Sequence, residues 1–184
     1  GLLVQMILGA LLGLSVYLPM AAGQLSLATP AFYAVGGTLA ALLSTQGNAQ
    51  SAISLWAVLG EMLLAAGLTA VLALLVGLPV LRLRGIYLAI ATIALVEIVR
   101  VAILNLPFTG GAAGIFGIPQ PFATASGYAG FTLVLLALVC WLCARLEQLR
   151  LGRAMAAIRD DELAAACVGI DTAAVKLNAF VLSA

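Results

Sequence analysis

Two stretches of this chain carry no charge at all. Residues 1–60 contain no Asp, Glu, Lys or Arg, the first being Glu61, and Val101 to Ala144 form a second uncharged run of 44 residues. A helix that crosses a bilayer needs roughly 20 mostly apolar residues, so each stretch has room for more than one crossing. Soluble domains keep about a quarter of their residues charged so that the surface stays wetted. Here 8% are charged, 65% are apolar and the mean hydropathy is +1.23. The expected fold class is therefore all-α, a polytopic transmembrane helix bundle forming one domain over residues 1–184. Gly1 opens inside an apolar run and Leu182-Ser183-Ala184 closes inside another. With no basic n-region or small-residue cleavage site, an internal piece of a longer membrane protein is expected.

The missing residue types exclude several chemistries. There is no histidine, hence no His-based proton relay or metal site, and no catalytic residue or metal ligand is assigned. The single lysine, Lys176, follows Ala174-Val175, so no phosphate loop of the GxxxxGK[ST] kind exists. A net charge of +1 gives no basic face for nucleic acid. Cys140, Cys143 and Cys167 are too few for a disulfide framework. Cys140-Trp141-Leu142-Cys143 has redox spacing but lies in an uncharged span, where a thiolate finds no electropositive partner. Its cysteines read as small membrane residues.

Five apolar segments are expected as spans, at about residues 2–18, 31–45, 56–81, 86–104 and 128–144, and a sixth begins near residue 173. Lys and Arg favour short cytoplasmic loops. Residues 145–176 hold Arg145, Arg150, Arg153, Arg159 and Lys176, five of the eight cations, which puts the loop 145–172 in the cytoplasm. Counting back across two spans returns Arg82 and Arg84 to the same side. The glycine-rich connection 105–127 and the polar stretch 46–55 then lie outside.

Within this path, Ala22 to Phe32 is flanked by Pro19 and Pro30 and holds Gly23, Gln24, Ser26 and Thr29. Prolines and polar residues at this density interrupt a helix. At membrane depth such a break must face protein or a wet cavity, and transporters build substrate sites from it. The alternative is an ordinary cytoplasmic turn, and spacing leaves both open. Thr109 to Pro119 carries Gly110, Gly111, Gly114 and Gly117, which permit close backbone approach. An external gate, a partner-docking surface and a compact loop fit it equally. Gly9 and Gly13 have the spacing of a helix-packing pair. Glu97 and Arg100 share a face of the fourth span. The pair reads first as snorkelling toward the outer end and second as lining a pathway.

The cytoplasmic loop, Gln148 to Thr172, is the most informative segment. Arg159-Asp160-Asp161-Glu162 precedes Leu163-Ala164-Ala165-Ala166-Cys167-Val168 and then Gly169. Asp160 or Asp161 can cap a helix, the acids suit its positive N-terminal end, and Gly169 suits its stop. A short, alanine-rich, capped helix parallel to the membrane lets a soluble partner approach closely.

Taken in order, Ala22-Gly23-Gln24-Leu25-Ser26-Leu27, Leu81-Arg82-Leu83-Arg84-Gly85-Ile86-Tyr87, Thr109-Gly110-Gly111 through Ile118-Pro119, Gly152-Arg153-Ala154 with Ala157-Ile158-Arg159-Asp160-Asp161-Glu162, and Lys176-Leu177 through Phe180 to Ala184 resemble the permease subunits of bacterial branched-chain amino acid ABC importers, M-subunit type. The resemblance covers nearly the whole chain. It implies a bacterial inner-membrane protein paired with a second permease subunit, two cytoplasmic ATPase subunits and a periplasmic substrate-binding protein, with lipid around it and no nucleic acid. It implies that ATP and Mg sit on the partner ATPase and that this chain binds no cofactor. Related importers dock their ATPase on a cytoplasmic loop of the form E-A-A-x-x-x-G. Aligned on Gly169, this chain matches at Ala164 and Ala165, with Leu163 in place of the acid and Glu162 one position earlier. The implied coupling loop comprises Arg153, Arg159, Asp160, Asp161, Glu162, Leu163, Ala164, Ala165 and Gly169. In the first motif Ala28 stands where glycine is expected.

The implied mechanism is alternating access, with a lever at about Asp161 to Val168 and no catalytic residue. Gln24, Ser26 and Thr29 are the candidates for a weakly polar pathway, with Glu97 a fourth. Hydrophobic amino acids suit such walls. A urea or short-amide permease of the same family and an ion-coupled secondary transporter are the rival readings. The latter calls for buried carboxylates, and a pure membrane scaffold leaves the capped helix without a purpose. An enzyme is least compatible with these residues.

Overall fold

The computed structural model describes residues 1–46, 55–83, 85–111, 114–118, 122 and 124–184. Its elements are α1 (Leu2–Ala21), α2 (Thr29–Gln46), α3 (Leu55–Val80), α4 (Ile86–Asn105), a 3-10 turn (Pro107–Thr109), α5 (Ala125–Gln148), α6 (Arg150–Asp160), α7 (Glu162–Cys167) and α8 (Thr172–Ser183). Arg84, most of the polar 46–55 stretch, and Ala112, Ala113 and Pro119 of the glycine-rich segment lie outside the described residues. Among those described, the backbone is helical or irregular, as a bilayer demands of a chain that closes no barrel. Leu2–Ala21, Trp56–Val80, Ile86–Asn105 and Ala125–Gln148 are long and apolar enough to cross a membrane.

The expected second span, 31–45, is a helix from Thr29 to Gln46, but it is not one of those four. Gly36, Gly37, Thr38, Ser44 and Thr45 dilute its hydropathy. It packs chiefly against α3 and α4, where glycine permits close approach: Gly36 stands 3.7 Å, measured from its would-be Cβ, from the Thr69 methyl of α3. Hydroxyls in the bundle are satisfied by their own helices, Thr38 donating to Ala34 O and Thr132 to Tyr128 O, each at 2.9 Å.

Several helices run past the bounds expected from composition. α1 continues through Pro19 to Ala21, because a proline in the last turn forfeits only one backbone hydrogen bond. α5 starts at Ala125, where Thr124 caps it by accepting from Gly127 N at 3.4 Å. It ends at Gln148, four residues beyond the last uncharged position, since charge ends an apolar run without ending a helix.

α1 packs on α5 and α8, and α3 on α8 and α2. The core is where α2, α3 and α8 cross. Ala28, Phe32, Ala73 and Phe180 are buried together, and the Phe32 and Phe180 rings meet edge to face with centroids 5.4 Å apart. Gly77 makes this crossing possible, because a Cβ there would lie 2.9 Å from Leu177 Cδ1 and 3.0 Å from Phe180 Cδ1. α8 therefore sits at the centre and reaches both the core and the arginine-bearing end.

Candidate functional site

At the arginine-bearing end the loop 148–172 is two helices, where one short helix was expected. α6 is amphipathic, with Met155 and Ile158 buried. Leu151, Met155 and Ile158 recur at helical spacing, the signal that marks this helix in the sequence. It folds sharply back on α5 at Gly152, where any Cβ would collide with the Leu146 carbonyl, an approach only glycine allows. Arg153 Nη1 donates to the Gln148 carbonyl at 2.8 Å and closes the end of α5.

α7 comes next. Asp161 is its cap, accepting from Leu163 N at 2.8 Å and Ala164 N at 3.0 Å. Asp160 ends α6 instead, with Arg159 Nε 4.0 Å from its carboxylate. Gly169, at φ +86°, stops α7: Gly169 N donates to Ala166 O at 3.0 Å and Ile170 N to Ala165 O at 3.1 Å, the paired bonds of a Schellman ending. Glu162 is bound to Lys176 Nζ on α8 at 2.7 Å, with the side chains 34% and 17% exposed. Ala165, assigned from sequence to a partner-facing loop, faces inward at 3% exposure. α7 is only six residues long, so one face must anchor it, and the smallest residue at the centre does so. Its outer face carries Leu163 at 75% and Val168 at 78% exposure, with Ala164 and Ala166 between them. Sequence reasoning missed this distinction because the alanines are alike in composition.

The break is built in the same vocabulary. Gln24 N donates to Pro19 O at 2.9 Å and Gly23 N to Met20 O at 3.0 Å, so α1 also ends in a Schellman motif with Gly23 at φ +72°. Residues 24–28 then leave the turn as extended chain, and burial alternates from Ala22 to Ala28. Ala22, Gln24, Ser26 and Ala28 are buried, while Leu25 and Leu27 are outward. Leu27 N donates to Thr92 Oγ1 at 3.1 Å, six residues along α4 from Ile86 and so roughly 9 Å up its axis. The segment climbs between helices and is not a surface turn. The core alanine Ala28 takes the place where glycine was expected and packs against Phe180.

These two regions meet. A Cβ on Gly23 would stand 3.2 Å from Arg159 Cα, and Ala22 packs with Met155 of α6 and Ala179 of α8. Gln24, Glu162 and Lys176 line one cavity of about 100 Å³, with Leu81 and Gly85 of the α3–α4 turn. Gln24 is 3% exposed and neither its Nε2 nor its Oε1 has a partner among the described residues. An unmet buried amide costs about 1–3 kcal/mol, and this one lies against the cavity, where water or a ligand could meet it.

The remaining pathway candidates do not join it. Thr29 lines a separate cavity of about 210 Å³ with Ser15, Tyr33 and Ser183, while Ser26 Oγ is turned to Ala28 N at 3.4 Å. Glu97 is paired with Arg100 at 2.8 Å on an open face of α4, with side chains 59% and 67% exposed. The i,i+3 spacing lets the two neutralise each other locally, so Glu97 stays outside the junction. Gly110, Gly111 and Gly114 have φ of +73°, +56° and +79° and fold at the far end of α4. A Cβ on Gly110 would collide with the Gly114 carbonyl, and Thr109 Oγ1 donates to Ile103 O at 2.6 Å. The described residues of this segment thus pack against the end of α4. Two further carboxylates lie within spanning helices: Glu61, half-buried six residues into α3, and Glu147, exposed in the last turn of α5.

Comparison with known proteins supplies context for this junction. Residues 1–184 match the family model described as branched-chain amino acid transport system / permease component. The high-affinity branched-chain amino acid transport system permease protein LivM of Escherichia coli (strain K12) is 36% identical over 99% of this chain and 48% of its own length. The protein of the same name from Salmonella typhimurium (strain LT2) is 35% identical over the same shares. The chain thus spans about half the length of the curated relatives it matches. No solved structure matches it.

Proposed function

Because the chain belongs to the family of branched-chain amino acid transport permease components, we propose that it is the membrane-spanning permease of an ABC importer, carrying branched-chain amino acids across a bacterial inner membrane. The supporting relatives are both named for high-affinity branched-chain amino acid transport. Its partners are a second permease subunit, two cytoplasmic ATPase subunits and a periplasmic binding protein. ATP and Mg act on the ATPases, and this chain contributes no bond-making residue.

The observation that carries the reading is the outward pair Leu163 and Val168 on a capped helix fixed to α8 by Glu162–Lys176. Exposed leucines on the spans face lipid, but α7 lies beyond the spanning helices, where exposed apolar side chains mark a protein contact. In the proposed cycle the ATPase holds that outer face. Its movement passes through Glu162–Lys176 and through the Arg159–Gly23 contact into the break. The break is extended chain with one backbone anchor in α4, so it yields more readily than the helices beside it. Gln24 exchanges its unmet state for contact with substrate or water as the spans re-orient.

The test uses the full-length parent with its partner subunits in proteoliposomes, with ATP on the ATPase side and binding protein on the other. Leucine uptake is expected to require ATP, and Leu163→Asp is expected to reduce it at least tenfold without lowering the thermal midpoint. Uptake driven by an ion gradient in the absence of ATP overturns the reading.

A further inference from the structure

A second cavity at the same end lies between α1, α5 and α6 and adjoins the junction through Met155 and Arg159. Its volume is about 290 Å³, just under the range of about 300–1,000 Å³ usual for small-molecule sites. Leu18, Leu146 and Met155 supply apolar walls, and Glu147, Arg153 and Arg159 supply charge.

The charges are arranged unusually. Glu147 and the two arginines line one small space, yet neither arginine forms an ion pair with Glu147 within 4 Å. Arg159 has only Asp160 at 4.0 Å, and Arg153 Nη1 is spent on the Gln148 carbonyl. Glu147 is held in place from one side, accepting from the Tyr17 hydroxyl through Oε1 at 2.6 Å, which leaves Oε2 free. A fixed carboxylate, guanidinium groups that do not neutralise it, and an apolar wall between them complement one class of molecule. It carries an ammonium and a carboxylate on neighbouring atoms and a short apolar side chain.

We infer that this cavity binds the zwitterion of a small apolar α-amino acid from the cytoplasmic side. The ammonium meets Glu147, the carboxylate meets Arg159, and the side chain lies on Leu18 and Met155. Both ionic contacts are charge-assisted hydrogen bonds. In a half-open site they give an affinity near 1 mM, suited to sensing an accumulated product. Occupancy ties α6 to α1 and α5. Since Arg159 of α6 also abuts Gly23, a bound amino acid braces the lever and slows further import. That regulatory consequence rests on the transport reading; the binding does not.

Cys143 lies buried in the wall of the cavity and reports occupancy without any transport assay. The full-length parent, with every other cysteine replaced, is placed in nanodiscs and alkylated by a small membrane-permeant thiol reagent. About 10 mM L-leucine is expected to slow modification roughly tenfold, as expected for ligand at ten times a dissociation constant near 1 mM. 4-Methylpentanoate and 3-methylbutylamine, each lacking one charge, are expected to have no effect at that concentration. Glu147→Gln keeps a hydrogen-bond acceptor for Tyr17 and is expected to abolish protection. Arg159→Gln is a second variant with the same expected outcome should the first fail to fold.

Absence of protection, protection by 4-methylpentanoate equal to that by leucine, or full protection in a folded Glu147→Gln protein each overturns the inference. Protection in a protein that imports nothing leaves the site standing and removes the transport reading instead.

Discussion

Helices α1 and α7 end in the same way and in opposite surroundings. Each closes with a Schellman pair of hydrogen bonds around a left-handed glycine, Gly23 and Gly169. After Gly169 the chain is open: nothing lies within 4 Å of a would-be Cβ. After Gly23 the chain enters protein, with the Arg159 backbone at 3.2 Å and an unpartnered Gln24 as the next residue. The motif is a local device fixed by backbone hydrogen bonding. The path of the chain beyond it depends on which side chains the bundle has room to cover. α7 is thereby free to take a partner, and the break is held under packing that any movement of α6 must disturb.

The largest effect expected from this comparison separates the two glycines. Gly23→Ala combines left-handed strain with a tight backbone contact and should cost about 2–3 kcal/mol. Gly169→Ala should cost only the strain, about 1 kcal/mol. Thermal unfolding of the purified full-length protein in detergent measures both, and equal losses break the distinction. Next in size is Gln24→Leu, which removes the orphaned amide and should stabilise the protein by about 1–2 kcal/mol while abolishing leucine uptake. A destabilised variant, or one that still transports, removes Gln24 from its role.

A double-mutant cycle on Glu162→Ala and Lys176→Ala should give a coupling of about 1 kcal/mol, since the pair is only partly screened. Uptake should fall in both single variants. The smallest effect belongs to Glu97→Gln. Its exposed pair with Arg100 is worth less than about 0.5 kcal/mol, and uptake should not change. A large loss of uptake there would return Glu97 to the pathway.

Much of this architecture is legible in the residues themselves. Long apolar runs with at most two charges each announce α1, α3, α4 and α5, because length and hydropathy alone define a crossing. Asp161 and Gly169 bracket α7 by capping chemistry, which acts within a few residues. Helix ends are less legible: α1 passes through Pro19 and α5 through Arg145, since neither proline in a last turn nor a charge at a membrane edge breaks a helix.

The candidate site was harder to read because it is made by contact between distant segments. Gln24 and Glu162 are separately visible as polar residues, but their shared cavity depends on α8, whose Lys176 reaches back to α7. Ala165 and Ala166 cannot be told apart by composition, and only the fold turns one inward. Ser26 and Thr29 look like companions of Gln24 in the sequence, yet Ser26 Oγ accepts from Ala28 N two residues on and the start of α2 carries Thr29 to a separate cavity.

The central claim is that the outer face of α7 docks a nucleotide-driven partner. Site-directed crosslinking in native membranes tests it directly, using the full-length parent with its cysteines replaced and a single Leu163→Cys substitution. A crosslink to a Walker-type ATPase whose yield changes with ATP is expected, with a much weaker one from the inward Ala165→Cys. If the thiol of Leu163→Cys reacts freely from the cytoplasm and captures no ATPase, the docking claim is contradicted.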